Sequence, residues 1–547
     1  VTGRGDQPIH FRLRIGVTGH RRPEKLGHTG PLEEAIVSVL EKIEEQMGEV
    51  LRSPLAYRVV SPLAEGADRI VARTVLDRYD ADLVVPLPFP LVDYLEDFHT
   101  EESRMEFNEL LEEAAHHWAT GSNREEGYTR VGREVVNHAD VLIALWNGEE
   151  AEGPGGTAEV IDHAHPVDGD AVARRIPVFI VRTDKHAQIE SRFDGQDWDR
   201  ICEAYRELDH FNHYRPPTRA FKRAEESSVS ELKRPLEGLS GEALERAEKH
   251  TDALEEWLPA IFCRADTGAT SFRDQVVRIG AGTAFLAAAA VAVAAARAVL
   301  WPHLEILTWA ELVFIASAVV ARIGVWVYNS HRHWIALRAL AEKLRDLHYV
   351  AVVDNKRFAV VGDVGSQDDR DDRPPIVQLE WHRRAVDEVW KARPTIELQE
   401  EDRRWLRALV VGTWIKGQIE YHEKRGREHR RSHVLLHIGV LAAFVGTLVC
   451  VLLHLLYGGG DVTVFLAIAL PALGGALSYI EGHREHLRHA ERYDWTLLRL
   501  QELERRGEAA KHILELRVVA HKMLRLMDAE NADWAGVMWT HDVELSA

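Results

Sequence analysis

Three glycine-bearing turns hold the side chains best suited to chemistry. The first is Gly16-Val17-Thr18-Gly19-His20-Arg21. The second is Ser61-Pro62-Leu63-Ala64-Glu65-Gly66-Ala67-Asp68-Arg69. The third runs from Asn147-Gly148 to Gly153-Pro154-Gly155-Gly156-Thr157-Ala158-Glu159. A glycine turn after a strand lets backbone N–H groups converge on an anion, and a guanidinium such as Arg21 can add a bidentate contact. Gly155-Gly156 precedes an expected helix start, where Thr157 can cap the helix or touch phosphate. The ligand-binding candidates are Gly19, His20, Arg21, Ser61, Glu65, Gly66, Asp68, Arg69, Asn147, Gly155, Gly156, Thr157 and Glu159. Glu65, Asp68 and Glu159 would read ribose hydroxyls or base edges. Each turn alone is also what an ordinary βα connection looks like; three on one sheet edge make a site. Pro86-Leu87-Pro88-Phe89-Pro90 with Tyr94 offers a hydrophobic wall for a base, or simple core.

The elements that must position these turns alternate between β-like runs and helical patterns over residues 12–181. Strands are expected at Arg12–Val17, Tyr57–Ser61, Leu83–Leu87, Val141–Leu145 and Pro177–Val181. Helices are expected at Leu32–Leu51, Ala64–Tyr79, Asp93–Trp118, Gly127–Asn137 and Ala158–Ala164. Such alternation predicts an α/β domain with a mostly parallel, Rossmann-like sheet, in which ligands bind at the carboxyl ends of strands. Residues 1–11 read as a polar lead-in without a cleavable signal peptide.

At 547 residues the chain exceeds one hydrophobic core. Its net charge of -20 argues against a nucleic-acid partner, since a phosphate backbone needs Lys and Arg. Cys202, Cys263 and Cys450 show neither a zinc spacing nor a disulfide framework, and no metal site is expected. Long apolar runs occur only in the second half. Ile279–Trp301, Ile306–Tyr328, Val434–Tyr457 and Val462–Ile480 each pass the length test for a bilayer span of about 20 residues. Trp301, Trp309, Trp326, Tyr328, Tyr457 and Tyr479 lie near their ends, where aromatic rings favour the interface. The competing reading is a set of buried helices in a large soluble protein.

Lys and Arg are absent from the short connections Pro302–Glu305 and Gly458–Asp461. They crowd the opposite ends, at Arg332, Arg338, Lys343 and Arg345, at Lys424 to Arg431, and at Arg484, Arg488 and Arg492. The positive-inside rule then places both termini and the middle segment in the cytoplasm, as a multi-pass membrane protein. Arg297 is the dissenting charge and can snorkel. Arg322 either snorkels or lines a pore; His437, His454 and Pro471 are further pore or gating candidates. Gly474-Gly475 would let the fourth span approach a neighbour closely. The two hairpins have similar flanks: a polar helix leads in, and a polar helix with a Trp four residues before an Arg (Trp334, Arg338; Trp495, Arg499) leads out. This divides the chain into an α/β domain (12–185), a helical connector (186–254), a first two-span unit (255–355), an acidic linker and helix (356–399) and a second two-span unit (400–547). Gly362–Pro375 is the acidic, proline-containing loop between the units.

GVTGHR at 16–21, SPLAEGADR at 61–69 and PGGTAE at 154–159 resemble the SLOG superfamily. This Rossmann-like group includes the lonely-guy nucleotide hydrolases and the DNA-processing A proteins. The hairpins resemble the two-span SLATT effector domains, in tandem. That resemblance implies a membrane effector of bacterial antiphage defence. Its SLOG domain would bind a nucleotide-derived second messenger, of cyclic-nucleotide or ADP-ribose-like kind, and its spans would disrupt or permeabilise the bilayer, as an ion channel for example. No other cofactor is implied. Four spans make a thin pore, so a homo-oligomer is expected. Two other readings remain open. One is a membrane-anchored N-glycosidic hydrolase using Glu159 and Arg133; lonely-guy hydrolases carry PGGxGTxxE, whereas Pro154–Glu159 is one residue tighter. The other is a membrane scaffold with a vestigial crevice.

Overall fold

The computed structural model describes residues 8–22, 26, 28–48, 52–121, 124–150, 153–166, 175–353, 380–484 and 486–544. Strand β1 (Phe11–Gly19) forms because Phe11, Leu13, Ile15 and Val17 alternate along it and bury one face almost completely. Then follow α1 (Thr29–Met47), β2 (Leu55–Val60), α2 (Ala67–Arg78), β3 (Ala81–Leu87), α3 (Leu91–Tyr94), α4 (Glu101–Glu113), β4 (His116–Ala119), α5 (Arg124–His138), β5 (Val141–Trp146), α6 (Thr157–Ala164), β6 (Val178–Arg182), β7 (Gln188–Arg192) and α7 (Gly195–His213). The remainder is helical: α8 (Thr218–Lys233), α9 (Glu242–Trp257), α10 (Pro259–Val299), α11 (Ile306–Val327), α12 (Ser330–Val353), α13 (Glu380–Lys391), α14 (Arg403–Arg407), α15 (Lys416–Tyr457), α16 (Asp461–Arg484), α17 (His486–Ala509) and α18 (Ile513–Glu544).

The strands form one sheet in the order β4-β3-β2-β1-β5-β6-β7. All neighbours pair in parallel except β6 and β7. The order reverses direction between β1 and β5, so the crevice of this sheet lies at the carboxyl ends of those two strands. β5 is apolar throughout and buried on both faces, as a central parallel strand must be. The expected single helix Asp93–Trp118 is instead α3, a tight turn, α4 and β4. Thr100 explains the break, because its hydroxyl accepts from Ser103 N at 3.1 Å and starts a new helix. Trp118 then pairs with Pro86 in the short edge strand β4.

Two compact units emerge. Among the described residues, the α/β unit gathers the chain up to His213 together with α13, and the helical unit holds Tyr214 to α12 and Ala392 onward. The range 12–185 falls inside the α/β unit, which also holds β7, α7 and α13. The polypeptide thus leaves the α/β unit after His213, returns between the two hairpins to contribute α13, and leaves again at Ala392. The acidic loop Gly362–Pro375 lies outside the described residues.

Charge fixes α13 to the start of the sheet. Arg12 and Arg14 on β1, Arg58 on β2 and Asp82 on β3 share one face, since Arg14 is in register with Arg58 and Arg58 with Asp82. Onto that face α13 sets Arg384, which makes two 2.6 Å hydrogen bonds to Asp140 and lies over the Phe11 ring at 4.9 Å. Glu388 accepts from Arg12 Nη2 at 3.0 Å, and Lys391 pairs with Asp82 at 3.2 Å. Trp381 adds an apolar contact to Phe211, with ring centroids 5.8 Å apart.

Among the described residues of the helical unit, four helices are long and apolar enough to cross a membrane: α10, α11, the helix ending at Tyr457 and the one beginning at Asp461. They match the four expected spans, the first ending at Val299 instead of Trp301 and the second at Val327 instead of Tyr328. α10 packs on α11, α12 and α16, which joins the two hairpins into one bundle. Gly458 closes the second hairpin in the left-handed region. There α15 and α16 approach closely through small residues: a side chain on Gly439 or Gly446 would meet Leu477 or Leu470 at 3.1 Å, and one on Gly474 would meet Ala443 at 3.3 Å. Large apolar side chains such as Leu312, Val320, Leu441, Phe444 and Leu448 stand exposed around the bundle, a surface suited to lipid and not to water. Arg297 is paired within its own hairpin, 3.6 Å from Glu311, so two of the three charges that interrupt the first hairpin answer each other, Arg322 being the third. Both hairpins share one plan, α10-α11-α12 and α15-α16-α17.

Candidate functional site

The site is built at the carboxyl ends of β1, β2 and β5. After β1 the chain turns at Gly19, and His20 is held from two sides. Its N–H donates to Leu145 O at 3.2 Å and its carbonyl accepts from Ala67 N at 3.1 Å. Its ring Nε2 accepts from Asn147 N at 3.1 Å. The first turn is thereby tied to the second and the third. The tie to α2 requires glycine at Gly66: its φ is +81°, and a Cβ there would lie 2.6 Å from His20 O. The third turn closes on α5 in the same way. Gly155 has φ +72°, and a Cβ would lie 2.4 Å from the Tyr128 backbone. Tyr128 then completes the connection, because Arg21 Nη1 reaches its hydroxyl at 3.4 Å and its guanidinium lies 5.2 Å from the ring.

Arg21 is a loosely held cation of this edge. It is part-exposed and has only long contacts, including 3.9 Å to Asp97. Asp97 is already engaged by Tyr128 and by Arg124 at 2.6 Å. Asp68 lies beneath, 4% exposed, accepting from Ala64 N at 3.1 Å. Burial pushes its carboxyl up to about 7; the Ala64 hydrogen bond and the Arg21 and Arg69 charges oppose that and do not overcome it. An anion arriving at Arg21 therefore meets a carboxyl that can become neutral near physiological pH.

Several candidates hold the scaffold. Arg69 is 3% exposed and bonds Leu63 O at 3.1 Å, Ser103 Oγ at 3.0 Å and Glu106 at 2.9 Å, over the Phe98 ring. Glu65 accepts from Ser103, and Ser61 from Leu63 N at 3.1 Å. These bonds pin the turn in which Leu63 has φ +57°. Asn147 Oδ1 accepts from Glu149 N at 3.1 Å. Gly156, and not Thr157, is the N-cap of α6, and Thr157 is buried. The exposed Glu159 carboxylate accepts from Gly155 N at 2.7 Å. Arg133 is exposed on α5 and Arg130 donates to Thr120 O at 3.2 Å. Phe89 and Tyr94 are buried in an aromatic cluster with Phe98 and Phe107, so the expected wall is core. Tyr128, Asp97 and Arg124 escaped the sequence reading; the pairing of Tyr128-Thr129 with the tight glycine at 155 shows only in three dimensions.

Of the pore candidates, Arg322 is exposed on α11, directed away from the bundle interior. His437 is exposed and 4.0 Å from Glu481, which His433 meets at 2.9 Å. His454 bonds the hairpin turn at Gly459 O, 2.8 Å. Pro471 follows Leu470, the residue packed on Gly446.

Residues 259–369 match the family SLATT_3, described as SMODS and SLOG-associating 2TM effector domain 3. The match begins with α10 and takes in α11 and α12, so the first hairpin and the helix that follows it resemble a SLATT_3 domain. The match to an effector-domain family and the four apolar helices suggest a membrane-associated effector. No curated protein matches the chain.

Proposed function

We infer that the chain is a ligand-gated membrane effector of antiphage defence. The α/β unit, which resembles SLOG domains, would bind a nucleotide-derived messenger at the β1/β5 crevice. Binding would rearrange the spans of a homo-oligomer and permeabilise the inner membrane, with both termini on the cytoplasmic side. The second hairpin would act as a further SLATT-like unit beside the matched one. One observation carries this reading: a switch-point crevice with a loosely held arginine shares a chain with a two-span effector domain. A physical link is available, since α13 belongs in sequence to the segment between the hairpins and is bonded to β1, the strand that ends in the crevice. A ligand acts through such a link only by binding one arrangement better than the other.

The test is membrane potential in cells expressing the protein while cyclic nucleotides or ADP-ribose-type compounds are supplied. Depolarisation by one of them, lost in Arg21→Ala at equal membrane insertion, is the expected result. Inserted protein that leaves the potential unchanged for every candidate overturns the proposal.

A further inference from the structure

The helical unit contains a cavity of about 750 Å³ that the crevice reading does not use. That volume falls within the range of small-molecule sites. It lies among α8, α10, α12, α15, α17 and α18. Its rim includes Val276 and Val277 on α10, a few residues before the span that begins near Ile279. At about 1.5 Å per residue the rim is within roughly 5 Å of the hydrocarbon edge, the depth of lipid head groups.

The lining offers more donors than acceptors. Arg338 and Arg345 face the space, each keeping 25% of its side-chain surface accessible. A guanidinium carries five N–H donors. Both arginines share Glu342, which accepts from Arg345 Nη1 at 2.8 Å, and both reach Asp266 only at 3.5 and 3.8 Å. The nearby carboxylates are spoken for: Glu231 accepts from the Tyr349 hydroxyl at 3.1 Å, and Glu530 meets His422 at 3.0 Å. Trp414 Nε1 is buried with no hydrogen-bond partner. Its indole stacks on Tyr349 with centroids 4.6 Å apart and planes 3° apart, giving a flat apolar wall. A π-helical turn, Ala408–Ile415, sets this tryptophan in place, and such wide turns gather at functional sites.

We propose that this chamber binds a phosphate ester, its anionic oxygens taken by Arg338, Arg345 and the Trp414 N–H and its body lying along the aromatic wall. A phospholipid of the inner leaflet and a soluble phosphate ester both supply that group.

Full-length protein in detergent micelles distinguishes them by thermal unfolding. The probes are glycerol 3-phosphate in solution and dioleoylphosphatidylglycerol doped into the micelles, with dioleoylglycerol as the phosphate-free control. One probe should raise the midpoint in proportion to the logarithm of its concentration, and the control should not. Gly417→Leu puts bulk into the space without removing a charged group, the nearest atom to its new Cβ being Glu231 Oε1 at 3.9 Å; it should abolish the shift. Arg345→Gln should weaken binding about tenfold or more, the loss expected of one charge-assisted donor. Arg21→Ala should leave the shift unchanged, which separates this site from the crevice. No shift with either phosphate probe, an equal shift with dioleoylglycerol, or a shift that survives both chamber variants overturns the proposal.

Discussion

The two ends of strand β1 handle charge in opposite ways. At its start, Arg12 and Arg14 are locked into carboxylates contributed by distant parts of the chain. Asp140 alone receives Arg384 at 2.6 Å twice, Arg14 N at 2.8 Å and Arg14 Nη2 at 3.1 Å, and is 2% exposed. At its end, about 20 Å away at the rise of a strand, Arg21 has a 3.4 Å contact to a phenol and a 3.9 Å contact to a carboxylate already taken. The first arrangement sets each cation against a carboxylate at close range; the second leaves Arg21 with long contacts alone.

The sharpest way to break that contrast is to remove Asp140. Asp140→Ala leaves Arg384, 5% exposed, as an uncompensated buried charge, a loss of about 3–5 kcal/mol. Hydrogen exchange on the full-length protein in micelles should show β1 and α13 losing protection together. Arg21→Ala, at the other end, should change protection by less than about 0.5 kcal/mol. Equal effects at the two ends would remove the distinction.

Gly66→Ala and Gly155→Ala sharpen it next. Each puts a side chain at positive φ and within 2.6 or 2.4 Å of backbone. Each should cost about 2 kcal/mol and lower the affinity of any crevice ligand, because these glycines hold the three turns together. Protection near α13 should be unaffected.

Asp68 supplies a pH test at the crevice end. Its pKa is raised in the folded state to about 7 from 3.8. Between those values the native state holds a proton that the unfolded chain has released. The stabilisation is thus complete below about pH 4 and lost as pH rises through about 7, at up to about 1.4 kcal/mol per pH unit. Thermal midpoints of the wild type should fall relative to Asp68→Asn across that window and run parallel above it. At the start of the strand, burial tends to raise Asp82, but Arg58, Arg12 and Lys391 outweigh it and hold it below its ordinary value. Asp387 on α13, which burial raises to about 6, adds a slope of the same sign at that end, so the crevice contribution is read from the difference between the wild type and Asp68→Asn.

How much of this was legible in the sequence depends on the distance between partners. The strands announce themselves locally, through the alternation in β1 and the apolar run of β5, and the spans do so by length alone. β4 does not, because four residues at an edge carry too little periodicity to separate from the acidic helix before them. Arg69 reads as a phosphate ligand beside a glycine turn; its partners Ser103 and Glu106 are 34 and 37 positions away. α13 is hardest of all. Glu380–Lys391 reads as a solvated charged helix after an acidic loop, and nothing local reveals that Arg384 meets Asp140, 244 positions earlier. The chamber likewise draws its walls from six helices and has no signature in any one of them.

The smallest expected effect is the most discriminating about mechanism. Glu159 caps Gly155 N at 2.7 Å, at the amino end of a helix whose dipole favours negative charge. Glu159→Gln keeps an acceptor oxygen and removes the charge, so stability should fall by only about 0.5 kcal/mol. The same change removes a repulsion between the carboxylate and an incoming phosphate. In a sensor, affinity for an anionic messenger should therefore rise a few-fold, at an effective dielectric typical of a surface site, and depolarisation should begin at lower messenger concentration. In a hydrolase, loss of this carboxylate would stop base release while the ligand stayed bound. A variant that binds its ligand intact but no longer depolarises the cell would point to turnover at the crevice as the signal and overturn gating by occupancy.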